Sequence, residues 1–157
     1  MWWSKLFLLS VCGAAVARAQ GPPATESGLG AVALWGRRAY YGVDAALGVR
    51  PQGQVRFMGT VGAGIREGRP AGRVGGEAQF LISPAARSGV SPYVGMGVSC
   101  TMVNSRHSFG ALTLTAGVEA AEGNPFGWYV EGGASGGARL ALGVRWRGFP
   151  SWWRQGQ

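Results

Sequence analysis

Apolar and polar residues alternate along most of the chain, and turn-forming residues interrupt the alternation at regular intervals. In residues 139–147, RLALGVRWR, one side carries Leu140, Leu142, Val144 and Trp146, while the other carries mainly arginine and glycine. Successive side chains of a strand point to opposite faces, so this pattern predicts a strand with one apolar and one polar face. Gly, Pro, Asn and Ser clusters divide the chain into eight such segments, each long enough to cross a membrane as a tilted strand. The predicted strands are 28–36, 39–50, 54–66, 72–83, 92–103, 108–121, 126–135 and 138–147.

The composition of the polar face indicates which side of these strands points inward. That face consists mostly of Gly, Ala, Ser and Thr with about one charge per strand, and charged residues make up only 14% of the chain. Ordinary soluble domains contain about a quarter charged residues. Small residues with a few charges instead suit the narrow interior of an eight-stranded barrel. We therefore predict an all-β fold, an eight-stranded antiparallel up-and-down transmembrane β-barrel with its apolar faces outward.

Aromatic residues support a membrane location, because they collect near the predicted strand ends. One group falls at the end that contains the chain termini and the other at the opposite end, as expected for the two aromatic girdles of a membrane barrel. The first group comprises Phe57, Phe80, Phe126, Trp128 and Trp146, and the second comprises Trp35, Tyr40 and Tyr41.

The first residues have the features of an export signal. A positive Lys5, a short apolar run and the small-x-small sequence Ala17–Ala19 predict a signal peptide over 1–19. A leader over 20–27, the barrel over 28–147 and a periplasmic tail over 148–157 complete the predicted organisation. The weak lipoprotein-like sequence before Cys12 leaves lipidation there as an alternative. Cys100 is then the only cysteine of the mature chain, so no internal disulfide is expected.

In strand number, length, pattern and signal peptide, residues 28–147 resemble the eight-stranded outer-membrane β-barrel proteins of the OmpA-like or opacity type. The resemblance implies a location in the outer membrane, contact with its lipids, insertion by the barrel-assembly machinery, a monomeric state and a structural or envelope role rather than catalysis. Two features depart from that family. The predicted outer connections are short, and the last strand is followed by the tail GFPSWWRQGQ.

Eight charged residues fall on the predicted inner face: Asp44, Arg56, Arg73, Glu77, Glu119, Glu131, Arg139 and Arg145. Isolated charges in a narrow interior are costly, so we expect ion pairs. Such a network predicts a plugged lumen, and a narrow gated ion path is the alternative.

Five arginines fall on predicted outer turns: Arg37, Arg38, Arg66, Arg69 and Arg106. The arginine fork matches phosphate geometry, so these residues predict contact with lipopolysaccharide phosphates. The alternative is that they are simply solvated turn residues.

Two other functions are alternatives to a structural barrel. A lipid A-modifying hydrolase would use His107, Ser108 and Glu119, but the spacing predicts that Glu119 lies near the opposite rim. A soluble calycin-like carrier would turn its apolar faces inward around a ligand. No metal-ligand spacing or cofactor fingerprint occurs, and scattered arginines behind a signal peptide argue against nucleic-acid binding.

Overall fold

The structure, a computed structural model, describes residues 21–51, 53–104 and 107–154, with side chains except at positions 104, 107 and 154. The predicted signal peptide, Cys12 and Arg106 lie outside the described residues. The strands are β1 Ala24–Trp35, β2 Tyr40–Arg50, β3 Val55–Arg66, β4 Arg69–Leu81, β5 Val90–Asn104, β6 His107–Ala120, β7 Phe126–Ser135 and β8 Ala138–Gly148. All neighbours pair antiparallel in sequence order, and β8 closes on β1. The predicted fold class is confirmed.

Two strands begin three or more residues earlier than the sequence pattern predicts. β1 starts at Ala24 because residues of the predicted leader already pair with the end of β2 and, from Thr25, with the end of β8. β4 starts at Arg69 because Glu67 and Gly68 alone form the turn before it. Both turn residues have positive φ angles, 52° and 76°, as a tight hairpin turn requires.

We call the end of the barrel that holds the start of β1 and the end of β8 the terminal end, and the opposite end the distal end. The distal connections are short: 36–39, 67–68, 105–106 and 136–137. The connections at the terminal end are 51–54, 82–89 and 121–125, and the short helix α1, Ser151–Arg154, follows β8 there. Among the described residues, no helix is long and apolar enough to cross a bilayer.

The outer surface of the barrel is apolar. Leu47 is 72% exposed, and Val98 and Leu112 are each 65% exposed. Water would penalise such a continuous apolar surface, whereas lipid would not. The alternative of a soluble carrier with inward apolar faces is therefore wrong.

The exposed aromatic residues lie mainly near the two ends of the barrel, with one exception to the prediction. Trp35 and Tyr41 form an edge-to-face pair near the distal end, and Phe126 and Trp146 pack together near the terminal end. Tyr40 does not belong to the outer girdle. It begins β2 on the inward face and is completely buried.

Glycines on the inner face make room for large polar side chains. A Cβ at Gly62 would collide with the carboxylate of Asp44, and one at Gly30 would collide with the hydroxyl of Tyr129. The interior therefore accommodates long and ionised groups within the narrow bore of eight strands.

Candidate functional site

Acidic residues are sorted almost entirely to the inside of the barrel. Of the seven in the sequence, five are buried, Glu77 is half-buried and only Glu67 is exposed. The buried five are Glu26, Asp44, Glu119, Glu122 and Glu131. Charges removed from water require compensation, so their partners determine what the interior can do.

Five side chains near the terminal end form one ion-pair network, which we call the Glu119 cluster: Glu26, Arg56, Glu119, Arg145 and Arg147. Arg56 Nη1 lies 2.8 Å from Glu119 and 3.0 Å from Glu26. Arg145 pairs with the other oxygen of Glu119, and Arg147 Nη2 lies 3.3 Å from Glu119. No side chain of the cluster is more than 5% exposed. Three guanidinium groups therefore share two carboxylates across the bore.

Neutral groups hold the arginines of the cluster in place. Gln79 Oε1 accepts hydrogen bonds from Arg56 Nε at 2.8 Å and from Nη2 at 2.6 Å. The ring of Tyr93 lies 5.2 Å from the guanidinium groups of both Arg56 and Arg145, within the range of cation–π attraction. The hydroxyl of Tyr93 donates to Glu131 at 2.9 Å, which connects the cluster to the middle of the barrel.

Separate ion pairs occupy the middle of the barrel. Arg73 lies 2.8 Å from Asp44, and Arg139 contacts Glu131. Glu77 accepts hydrogen bonds from the neutral groups of Gln79 and Thr115 and forms no described ion pair. The structure thus places all eight residues of the predicted lumen set inside the barrel, with Glu77 held differently from the expectation.

On the distal side of these ion pairs, three hydroxyl groups form a cluster. Ser99, Thr113 and Ser135 lie within 2.9–3.3 Å of one another, and Arg73 donates to Ser135 at 3.4 Å. The cavity in the middle of the barrel has a volume of about 30 Å³. That is room for about one or two water molecules.

A further buried contact, between an arginine and a carboxyl group, closes the terminal end. Arg50 Nη1 lies 3.4 Å from Glu122, and the same nitrogen donates to the carbonyl of Pro84 at 3.4 Å. Glu122 lies in the connection between β6 and β7. Burial and the negative charge of Glu119 raise the pKa of Glu122 to about 8, against the opposing charges of nearby arginines, Arg50 among them.

The C-terminal tail packs across this pair. The ring of Phe149 lies 5.6 Å from the guanidinium group of Arg50. The indole of Trp153 donates to the carbonyl of Gly123 at 3.2 Å, and Arg87 stacks on its ring at 4.3 Å. The tail and the connections 82–89 and 121–125 therefore cover the terminal opening.

Four buried charged residues were not in the predicted network: Glu26, Arg50, Glu122 and Arg147. Arg147, the last residue of the predicted last strand, is 4% exposed and belongs to the Glu119 cluster. Glu26 was assigned to the leader. The inward position of Glu26 could have been found by extending the alternation of β1 toward the N-terminus, because Glu26 and Gly28 lie on the same face of the strand.

The four predicted outer-turn arginines that the structure describes lie at the distal end. Arg37, Arg38 and Arg69 are exposed, and Arg66 is half-buried. Arg66 and Arg38 both approach the ring of Phe109, at 4.4 and 5.6 Å from its centroid. Arg38 Nε also lies 3.7 Å from Glu67, and both side chains of that pair are half-exposed.

The proposed hydrolase residues are not assembled. Ser108 pairs with Met102 on the outward face at the distal start of β6, while Glu119 is buried near the terminal end of the same strand. The two are about 36 Å apart along the strand at about 3.3 Å per residue. The side chain of His107 lies outside the described residues. Among the side chains that the structure describes, no group of acids, cysteines or histidines could hold a metal ion.

A closed antiparallel barrel with an apolar outer band, terminal aromatics and a charged interior defines the chain as an outer-membrane-type β-barrel. The sequence matches no protein-family model and no curated protein. Solved structures share the fold. The N-terminal β-barrel domain of Pseudomonas aeruginosa OprF superposes with a TM-score of 0.57 at 17% identity, covering 82% of this chain and 99% of that domain. Neisserial surface protein A gives a TM-score of 0.57 at 13% identity, covering 81% of this chain and 97% of its own.

Proposed function

We propose that the protein is a structural barrel of the outer membrane whose lumen is closed by its own ion pairs. The Glu119 cluster carries this proposal, because its five side chains from β1, β3, β6 and β8 meet in the bore and are almost completely buried. The Arg50–Glu122 pair and the tail add a second obstruction at the terminal end. An ion would have to break several charge pairs to pass.

Conductance in planar lipid bilayers tests this proposal. Purified, folded barrel should insert without giving steady channel currents at moderate voltage. A difference in migration between unheated and heated samples on a denaturing gel would confirm that the protein is folded, and protection from protease would confirm that it is inserted. Reproducible single-channel steps from the wild-type protein would show an ion path and would refute the closed lumen.

The distal rim supports a second part of the proposal, contact with lipopolysaccharide phosphates. The exposed side chains there include Arg37, Arg38 and Arg69, against the single exposed acid Glu67. Arg66 also lies on this side, and the predicted set includes Arg106, which lies outside the described residues. Arginine forks bind phosphate oxygens in pairs, so a cationic rim fits a leaflet of phosphorylated lipids. This part requires that the distal end face the outer leaflet.

Replacement of the rim charges tests the lipid contact. The triple variant R37Q/R38Q/R69Q should retain less lipopolysaccharide on purification in neutral detergent than the wild type. R87Q is the matched control, because Arg87 is also an exposed arginine but lies at the terminal end. Equal retention by all three proteins would mean that the rim arginines are only solvated.

The same proposal covers export and assembly. The signal peptide over 1–19 would be removed on export, and the barrel-assembly machinery would insert the chain. Closure of β8 on β1 leaves no unpaired strand edge, which supports a monomer. N-terminal sequencing of the mature protein would test cleavage after Ala19, and light scattering of the detergent complex would test the monomeric state.

A further inference from the structure

A cleft of about 210 Å³ lies at the distal end of the barrel. Its polar lining comprises Arg38, Arg66, Ser99, Thr101 and Ser135, and Phe109 forms part of its wall. None of the described residues that line it is acidic. The remaining lining is apolar side chains and the glycine backbone of two distal turns. Cations and hydroxyl groups around an acid-free cleft are the donors that an oxyanion requires.

The two arginines are held in position by the same aromatic ring. Arg66 lies closely over Phe109, and Arg38 approaches the ring from the β1–β2 turn. Stacking restricts a guanidinium group without using its hydrogen-bond donors. Arg66 Nε is buried and has no hydrogen-bond partner among the described residues. An acceptor in the cleft would supply one.

Repulsion at the rim favours the same occupant. Arg66 and Arg69 are directly opposed in the β3–β4 register and therefore lie on the same, inward face. Like charges at opposed positions destabilise a strand pair, and an anion between them reverses the sign of that interaction. Glu67 cannot supply the compensating negative charge for Arg38, Arg66 and Arg69 together. Its contact with Arg38 is 3.7 Å long and half-exposed, which makes it a weak pair.

We infer that this cleft binds one phosphate monoester group. Arg66 and Arg38 bind the phosphate oxygens, and Arg69 adds positive charge at the entrance. The hydroxyl groups of Ser99, Thr101 and Ser135 line the bottom of the cleft. The phosphate belongs either to a lipid headgroup or to a soluble phosphorylated sugar. The inference deepens the proposed contact with phosphorylated lipid, because it selects Arg38 and Arg66 among the rim arginines.

Side-chain NMR of the folded, full-length barrel in uncharged maltoside micelles tests the site. Arginine Nε–Hε signals are followed while inorganic phosphate, glucosamine 1-phosphate or lipid A is added. The signals of Arg66 and Arg38 should shift saturably, and R66Q should weaken binding of glucosamine 1-phosphate at least tenfold. R66K, which keeps the charge but loses the fork, should fall between R66Q and the wild type. R37Q removes the same charge from the same rim outside the cleft, and it should change this affinity no more than twofold.

The lipid and soluble arms identify the source of the phosphate. Lipid A acting at a tenfold lower concentration than glucosamine 1-phosphate would assign the site to a lipid headgroup. Binding of the soluble compounds without any effect of lipid A would assign it to a free phosphorylated sugar. Linear, non-saturating shifts, or an equal loss in R66Q and R37Q, would overturn the site. If the site were overturned but the rim still retained lipopolysaccharide, the proposed lipid contact would stand. Failure of the site and failure of the lipid contact are therefore distinguishable. Gel migration of each variant without heating confirms its fold.

Discussion

Replacement of Glu119 by glutamine should cost the barrel several kcal/mol of stability. Glu119 pairs with Arg56, Arg145 and Arg147, and its side chain is completely buried. Glutamine keeps the size of the side chain but removes the charge. Arg56 and Arg147 then keep only Glu26 as a carboxylate partner, and Arg145 keeps none among the described ion pairs. Removal of one partner from a buried ion pair costs about 3–5 kcal/mol. We therefore expect E119Q to lower the free energy of unfolding by about that amount.

Urea unfolding in lipid vesicles, followed by tryptophan fluorescence, measures this loss. E67Q is the matched control, because it makes the same chemical change in the half-exposed Arg38–Glu67 pair. An exposed pair contributes about 0–1 kcal/mol. The double variant E119Q/R145Q removes one charge of each sign, so its loss should be smaller than the sum of the two single losses. If the free energy of unfolding of E119Q lay within about 0.5 kcal/mol of that of E67Q, the Glu119 cluster would not be a stabilising network.

Three further variants test other parts of the structure. L142R places a charge on the outward face of β8, and it should cost about 2–4 kcal/mol if that position lies near the bilayer midplane, measured as a loss of folded barrel on unheated gels. Because Glu122 keeps its proton in the folded protein up to about pH 8, whereas the unfolded residue loses it near pH 4.5, this residue should make stability fall between those pH values. The difference in urea midpoint between wild type and E122Q should show that fall, and a pH-independent difference would contradict it. W153L removes the hydrogen bond to Gly123, and limited proteolysis should then cleave the tail faster than in the equivalent W152L variant, since Trp152 is 60% exposed.

The alternation of side chains was sufficient to predict the fold and most of the interior, because one face of every strand must meet lipid. It placed Arg56, Glu119 and Arg145 inside, where they meet from three strands that are not neighbours. The identity of the partners could not follow from the pattern. Which charges face each other across a closed bore depends on the stagger of eight strands, and that is a property of the closed barrel.

Barrel closure also explains the residues that the sequence pattern missed. Glu26 and Arg147 are 121 positions apart in the sequence, yet the β1–β8 register places them directly opposite each other. Glu26 falls before the predicted first strand and Arg147 is the last residue of the predicted last strand, so the pattern indicates a partner for neither. Tyr40 was misplaced for a local reason. Its neighbour Tyr41 has the same chemistry, and a shift of one residue decides which of the two faces lipid.

The two ends of the barrel differ in a way that bears on function. At the terminal end, the Glu119 cluster, the Arg50–Glu122 pair and the tail lie one behind another, so a solute entering there would meet three successive obstructions. The distal end instead leads into a cleft lined by arginine and hydroxyl groups, and only beyond it into the ion pairs of the middle. A conduit would need access from both sides, whereas a binding site needs only one. This difference between the two ends supports the proposed anion site at the distal end over a conduit.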